Sequence, residues 1–176
     1  MDYYHEHHKK GPFVVAFLLI LVTILTGVAT FTNYWATLSV FGANAGHMGL
    51  YAWFKSGAND AFNAQPGWWK CTVVTMLMAF SFELLFCILV IPSILFRKHI
   101  HGHALNALLS IIIAILLFVG IITFAVKVGS FNVAGISVPL KLGWSWGVGV
   151  AAAVVSIILI LASSGSAYGA ARSHYY

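Results

Sequence analysis

The sequence has little charge, few cysteines and no recognisable catalytic motif. Of its 176 residues, 7% are charged and 61% are hydrophobic, whereas soluble domains carry about 25% charged residues. A soluble fold of this length could not bury so much apolar surface, so the composition excludes one. The chain contains no P-loop and no H-E-x-x-H sequence, and Asp60 is the only acid in its polar loops. We therefore expect neither an enzyme nor a bound cofactor.

Four apolar stretches are long enough to cross a bilayer as helices, which takes about 20 residues each. Their predicted bounds are Pro12–Phe31, Cys71–Phe96, Ala104–Val126 and Leu142–Ala162. The remaining residues form two tails, 1–11 and 163–176, a short link, and two loops, 32–70 and 127–141. Because nothing is left over for a second domain, we predict a single membrane domain over residues 1–176, folded as an α-helical bundle in a lipid bilayer.

The basic residues indicate which side of the membrane the tails face. An even number of spans puts both tails on one side. The tail side carries Lys9, Lys10, Arg97, Lys98 and Arg172, and the loop side carries Lys55, Lys70, Lys127 and Lys141. Under the positive-inside rule this small excess favours cytoplasmic tails and extracellular loops in the plasma membrane. Because the basic residues are scattered along the membrane edges, nothing indicates nucleic-acid binding.

Both loops contain residues typical of strands. In the first loop, Tyr34–Phe41 is followed by a cluster of Gly, Asn and Ala and then by a second aromatic run, Met48–Phe54. Two such runs separated by turn formers predict a hairpin. The second loop offers "SFNVAGISV", whose β-branched residues suit an edge strand. We predict a small antiparallel sheet on the outer end of the bundle. An interfacial aromatic belt is the alternative, and it stays open for Trp68 and Trp69.

Two short motifs resemble those of the claudin and peripheral myelin protein superfamily. "HMGLYAWF" is similar to the outer-loop G-L-aromatic motif of that family, with Trp35 placed like its upstream tryptophan. "KLGWSWGVGVAAAVVSIILILAS" is similar to the start and body of its fourth helix. The resemblance covers residues from about 12 to 164, and it implies a left-handed four-helix bundle capped by a sheet of about five strands. It assigns the packing of that sheet to Trp35, Gly49, Leu50, Tyr51, Trp53 and Phe54.

The family's first loop is usually closed by a disulfide, and this chain has no cysteine pair there. Its two cysteines are Cys71 and Cys87, which lie about 24 Å apart if one helix holds both. That separation is too large for a disulfide. We therefore expect aromatic packing to replace the covalent link.

The predicted sheet has edges that invite association with another copy of the chain. Unpaired N–H and C=O groups at a strand edge form hydrogen bonds readily, and the flanking sequence is apolar with few charges. We expect a homo-oligomer formed through the outer loops, with contact residues Met48, Phe62, Phe41 and Trp68.

Glu83 is the only charged residue inside a predicted span. A carboxyl group in a membrane is costly and is a functional candidate by default. The simpler interpretation is a neutral or hydrogen-bonded carboxyl group that packs against a neighbouring helix. Its candidate partners are Thr23, Thr26, Asn106 and Ser110.

Histidines cluster on the tail side, at His5, His7, His8, His99, His101 and His103. Clustered imidazoles can bind zinc or copper or respond to pH. Their spacing matches no closed zinc motif, so we assign no metal and keep the six only as weak candidates.

Gly143, Gly147 and Ala151 form a row of small residues at the start of the fourth span. Such rows let helices approach closely. The partner is another helix of this chain or of a second copy, and we favour packing within the bundle.

Three functions are consistent with this pattern. The first is a non-enzymatic claudin-like protein that assembles side by side or between cells, at a junction or in membrane organisation. The second is an auxiliary subunit of an ion channel or receptor, which would make a membrane protein its partner. The third is a small pore or transporter that uses Glu83.

Overall fold

The computed structural model of the protein describes residues 3–40, 43–53, 56–95, 103–130, 132–133, 136–137 and 140–172. It contains four long helices, α1 (Tyr3–Phe31), α3 (Gly67–Leu95), α4 (His103–Lys127) and α5 (Trp144–Arg172), and one short helix, α2 (Ala58–Asn63). The apolar parts of the long helices are Phe13–Phe31, Gly67–Val90, Leu105–Lys127 and Trp144–Gly165, each long enough to cross a membrane. The prediction of a four-span membrane bundle is confirmed.

The four long helices pack in a closed ring. The closest pairs are α1 with α5, α5 with α4, α4 with α3, and α3 with α1. The interior holds large apolar side chains such as Leu19, Met76, Phe86 and Leu117, none of which has any exposed surface. Other large apolar residues face outward, where they would contact lipid. Phe13, Phe17, Ile88, Val126 and Leu161 are each exposed over about two-thirds of their surface, as expected for a multi-pass membrane protein.

The small residues of α5 that face the bundle are different from the predicted ones. A Cβ atom at Gly147 would meet nothing within 4 Å, and Ala151 is exposed. The helix instead buries Ser145, Gly149, Ala152 and Ser156 against its neighbours. Because α5 is apolar on all sides, hydrophobicity does not reveal its inward face. The expectation that Gly147 and Ala151 pack within the bundle was wrong.

Five short strands lie beyond the helices: β1 (Ala36–Val40), β2 (Ala43–Met48), β3 (Asn132–Val133), β4 (Ile136–Ser137) and β5 (Leu140–Leu142). Strands β2, β1 and β5 form an antiparallel sheet in that order, so both loops contribute to it. Strands β3 and β4 form a separate antiparallel pair. The predicted small sheet built from the two loops is confirmed.

Two strand assignments were wrong. The partner of β1 is Ala43–Met48, which apart from Met48 lies in the segment predicted as a turn, whereas residues 49–53 are not a strand. The aromatic residues of 49–53 bond and pack to the helices below, which removes them from the sheet. In the second loop, Asn132–Val133 pairs with Ile136–Ser137, and Leu140–Leu142 provides the third strand of the main sheet.

The sheet is joined closely to the bundle. The amide of Trp35 donates to the carbonyl of Met48 at 2.9 Å, and the amide of Gly143 donates to the carbonyl of Trp35 at 2.8 Å. A Cβ atom at Gly143 would overlap the carbonyl group of Tyr34. Gly143 therefore allows two backbones to meet just before α5 begins, rather than a helix-to-helix contact.

Candidate interaction surface

The outer end of α1 carries carbonyl groups that need donors from elsewhere. The last four carbonyls of an α-helix have no partner within it. In this structure the indole of Trp35 donates to the carbonyl of Ala29 at 2.5 Å, and the indole of Trp53 donates to the carbonyl of Thr30 at 3.1 Å. Two consecutive carbonyls of the final turn are thus capped by tryptophans of the first loop.

Two further indoles connect separate elements of the outer end. The indole of Trp69, near the start of α3, donates to the carbonyl of Leu50 at 2.8 Å. The indole of Trp146, near the start of α5, donates to the carbonyl of Ile121 in α4 at 3.2 Å. We call the sheet and the first loop the outer layer. Hydrogen bonds between the loop and the helices therefore hold this layer in place without a covalent link. Both cysteines, Cys71 and Cys87, are free.

Aromatic rings fill the space beneath the sheet. Phe124 of α4 lies edge-on to three tryptophan rings, with centroid distances of 4.9 Å to Trp35, 5.2 Å to Trp69 and 5.7 Å to Trp68. Such pairs contribute about 0.5–1.5 kcal/mol each beyond their buried area. We call these four residues the Phe124 cluster. It joins the residue that precedes β1 to α3 and α4.

A second line of aromatic contacts holds the first loop and α2. The ring of Trp53 lies 4.9 Å from Phe31 of α1 and 4.7 Å from Tyr51, measured between centroids. Tyr51 in turn contacts Phe62 of α2 at 5.4 Å, and its hydroxyl bonds Asn59 at 2.6 Å. The aromatic residues of the first loop thus connect the end of α1 to α2.

The residues predicted to pack the sheet lie in this layer. Trp35 and Leu50 are fully buried, and Tyr51 and Trp53 are half-buried. A Cβ atom at Gly49 would come within 2.8 Å of the Cα atom of Asn33, so this position requires glycine. Phe54 lies outside the described residues.

Trp69 contributes more to the layer than the sequence indicated. It is 1% exposed, which excludes the alternative that it belongs to an interfacial belt. Its neighbour Trp68 is half-buried and packs against the same core. The adjacent pair of tryptophans at a membrane border is typical of a belt, and nothing in the local sequence separates the two roles.

The predicted contact residues face inward more than expected. Met48, Phe62 and Trp68 are half-buried and pack against the hydrophobic core, because residues 49–53 and α2 fold back over the bundle. Phe41 lies outside the described residues. A contact with another copy would therefore depend less on these side chains than on the backbone edge of the sheet.

The sheet has one edge without charged or proline residues. Within the described residues, β2 pairs with β1 alone, and its sequence, ANAGHM, contains no charged residue and no proline. The other edge, β5, contains Lys141. One extra residue, Ala45, lies between the pairs Leu38–Gly46 and Ser39–Asn44, which makes a bulge in β2. The regular part of the free edge is therefore Gly46–Met48.

Exposed aromatic rings lie at the end of the sheet where β1 begins and β2 and β5 end. The imidazole of His47 stacks on the ring of Tyr34 with centroids 4.1 Å apart, and Tyr34 contacts Trp144 at 5.5 Å. Tyr34 is 38% exposed and Trp144 is 51% exposed. Rings of this kind commonly lie at the headgroup level of a bilayer.

Glu83 is fully buried between α3 and α1. The hydroxyl of Thr26 donates to its Oε1 atom at 2.8 Å, and Oε2 has no hydrogen-bond partner among the described groups. Of the other candidate partners, Thr23 donates to the carbonyl of Leu19, and Ser110 donates to the carbonyl of Asn106. This arrangement agrees with a packing role for Glu83 and gives no support to a pore lined by it.

The tail histidines give no metal site that can be described. His99 and His101 lie outside the described residues, and His5, His7, His8 and His103 have helical backbone whose side chains are not described. Among the residues that the structure does describe, no three His, Cys, Asp or Glu side chains are grouped to hold a metal ion. Metal binding by the tails therefore stays a prediction.

Comparison with known proteins does not identify a family for this chain. No family profile matches the chain, and no curated protein sequence matches it. The resemblance to claudins therefore rests on the motifs and on nothing else, and it stays a prediction.

Proposed function

We propose that this protein assembles with copies of itself in the plasma membrane through the outer sheet, as a claudin-like structural protein. In this proposal its tails are cytoplasmic and its sheet is extracellular. The assembly organises the membrane or takes part in contacts between cells. No chemical step is involved, and the lipid bilayer and other copies of the chain are its partners.

The observation that carries the proposal is the free edge of β2. An unpaired strand edge presents backbone donors and acceptors to any strand that can lie alongside it. Soluble sheets protect such edges with charge, proline or bulges. Here the bulge at Ala45 interrupts the edge, but Gly46–Met48 continues without charge or proline.

A second copy is the simplest occupant of this edge. Two identical edges can pair antiparallel across a twofold axis, since each presents the same donors and acceptors to the other. The helices hold both copies upright in one bilayer, so their sheets lie at the same height. This restriction reduces the entropy that association must overcome.

The resemblance to claudins and the small excess of basic residues on the tail side support the same arrangement. The auxiliary-subunit hypothesis uses the same edge with a different membrane protein beside it. An experiment on the purified chain alone separates the two hypotheses, because only self-assembly needs no other protein.

The number of copies in each assembly tests the proposal. The chain with a fluorescent protein fused to its C-terminus is reconstituted in lipid vesicles at low density, and bleaching steps are counted for each spot. We expect two or more steps for the wild type. Gly46→Lys should reduce the count towards one, since it puts like charges opposite each other at the edge. A Cβ atom at Gly46 would meet nothing within 4 Å, so the variant should fold.

Gly67→Lys is the matched control. Gly67 is exposed, its Cβ atom would also meet open space, and it lies at the start of α3 rather than in a strand. It adds the same charge on the same side of the membrane and should leave the count unchanged. A wild type that gives single steps at every density, but copurifies with a channel or receptor, would overturn self-assembly and favour the auxiliary-subunit function.

A further inference from the structure

A pocket of about 250 Å³ opens on the outer layer, between residues 47–52, α2 and the start of α3. Its walls include Met48, Phe62 and Trp69, together with the polar side chains of Asn33, His47 and Gln65. A water molecule takes about 30 Å³ of liquid volume, so the space exceeds what one or two bridging waters fill. The volume of the pocket is comparable to that of a molecule with one or two rings.

Gln65 provides an unsatisfied hydrogen-bond acceptor in this pocket. Its Oε1 atom is buried and has no hydrogen-bond partner among the described groups. The backbone N–H of Gln65 donates to the backbone carbonyl of Phe62 at 3.0 Å, which fixes the residue just beyond the end of α2. A buried acceptor without a donor is unfavourable. A ligand that donates a hydrogen bond here would therefore gain affinity.

Two other polar groups near the pocket already have hydrogen-bond partners. The hydroxyl of Tyr51 bonds Asn59, and the indole of Trp69 donates to the carbonyl of Leu50. Among the described residues that line the pocket, Gln65 has the one buried side-chain atom without a hydrogen-bond partner.

The walls of the pocket favour an uncharged ligand. None of the described residues that line the pocket is Asp, Glu, Lys or Arg. Phe62 presents an aromatic ring, and the thioether of Met48 is a favourable neighbour for aromatic rings. We propose that this pocket binds a small uncharged aromatic molecule that donates one hydrogen bond to Gln65. The pocket adjoins the strand edge, with which it shares His47 and Met48, but ligand binding there does not require self-assembly.

Indole and 1-methylindole form a matched pair of probes, because they differ by a methyl group that removes the donor. The full chain in lipid nanodiscs, with its methionines labelled with ¹³C in the methyl group, is titrated with each probe. Met48 reports on the pocket. Met78 is 44% exposed on the lipid-facing surface and reports on partitioning into the bilayer. The Met48→Leu variant assigns the Met48 signal.

We expect the Met48 signal to shift and saturate with indole, while Met78 shifts only in proportion to concentration. The apparent Kd of 1-methylindole should be about tenfold weaker, as expected when a buried acceptor loses its donor. In Gln65→Met, which keeps the length of the side chain without the amide, the two probes should bind equally. Asn63→Ala removes an exposed amide in α2 and should preserve the tenfold difference.

Several results would overturn the proposal. One is a Met48 signal that never saturates. Another is equal binding of the two probes to the wild type, which needs no variant to measure. A third is a preference for indole that persists in Gln65→Met.

Discussion

Replacing Trp35 should loosen the whole outer layer, since this residue both caps α1 and packs against Phe124. Trp35→Ala should lower the free energy of unfolding by about 3–5 kcal/mol, the usual cost of deleting a buried aromatic side chain. Trp35→Phe keeps most of the ring but removes the donor to Ala29. An acceptor left buried without a donor costs about 1–3 kcal/mol.

The unfolding temperature gives a direct measure of both effects. For a chain of this length, 1 kcal/mol corresponds to about 2–4 °C. We therefore expect decreases of roughly 6–20 °C for Trp35→Ala and roughly 2–12 °C for Trp35→Phe. A thiol-reactive dye can follow unfolding through Cys87, which is half-buried, in a Cys71→Ser background that removes the exposed thiol.

Trp144→Ala is the control, because Trp144 is half exposed. A substitution at such a surface position should change stability by about 0.5 kcal/mol or less, or about 2 °C. A reducing agent would consume the dye, so the wild type is followed by tryptophan fluorescence instead. Reduction should not change its unfolding temperature, because both cysteines are free. The reasoning would be refuted if Trp35→Ala unfolded at the temperature of the control, or if reduction alone destabilised the protein.

Two further pairs of substitutions test the packing of the bundle. Gly143→Ala should lower the unfolding temperature, since its Cβ atom would overlap the Tyr34 carbonyl, whereas Gly147→Ala should be neutral or stabilising by up to about 1 kcal/mol. Equal effects of the two would contradict the close backbone contact at Gly143. Glu83→Gln should leave stability nearly unchanged, because the amide oxygen can accept from Thr26 as the carboxyl does. A double-mutant cycle with Thr26→Val should give a coupling of about 0.6–1.7 kcal/mol, and a coupling of zero would exclude that hydrogen bond.

The membrane spans could be predicted because the bilayer imposes a length and a composition on them. About twenty consecutive apolar residues, when helical, match the thickness of the hydrocarbon core. The start of the sheet was also readable, since β1 (Ala36–Val40) lies within the predicted run Tyr34–Phe41. Both features depend on local sequence alone.

The strand that pairs with β1 could not be predicted from the sequence, for a physical reason. The aromatic residues of Met48–Phe54 have high strand propensity, but propensity in a strand reflects packing against neighbours rather than an intrinsic preference. Here Tyr51 and Trp53 find better contacts on α1 and α2. The strand forms instead from the less distinctive residues Ala43–Met48.

The inward face of α5 and the role of Trp69 were hidden for a similar reason. In a membrane protein both the lipid-facing and the core-facing surfaces of a helix are apolar. The periodicity of apolar residues therefore does not identify the inward face. The burial of Trp69 depends on its hydrogen bond to the carbonyl of Leu50, which is distant in sequence. Only the folded arrangement brings these two residues together.

Disulfide trapping at the edge of β2 tests the central proposal most directly. Single cysteines are placed at Gly46 or His47 in a Cys71→Ser, Cys87→Ser background, and the protein is oxidised in lipid vesicles at low density. Residues opposite each other in paired antiparallel strands have Cα atoms about 4.5–5.5 Å apart, within the range that a disulfide spans. We predict a covalent dimer for at least one of the two positions and none for Gly67→Cys. If neither position on β2 gives a dimer, or if Gly67→Cys gives one as readily, assembly through this edge is contradicted.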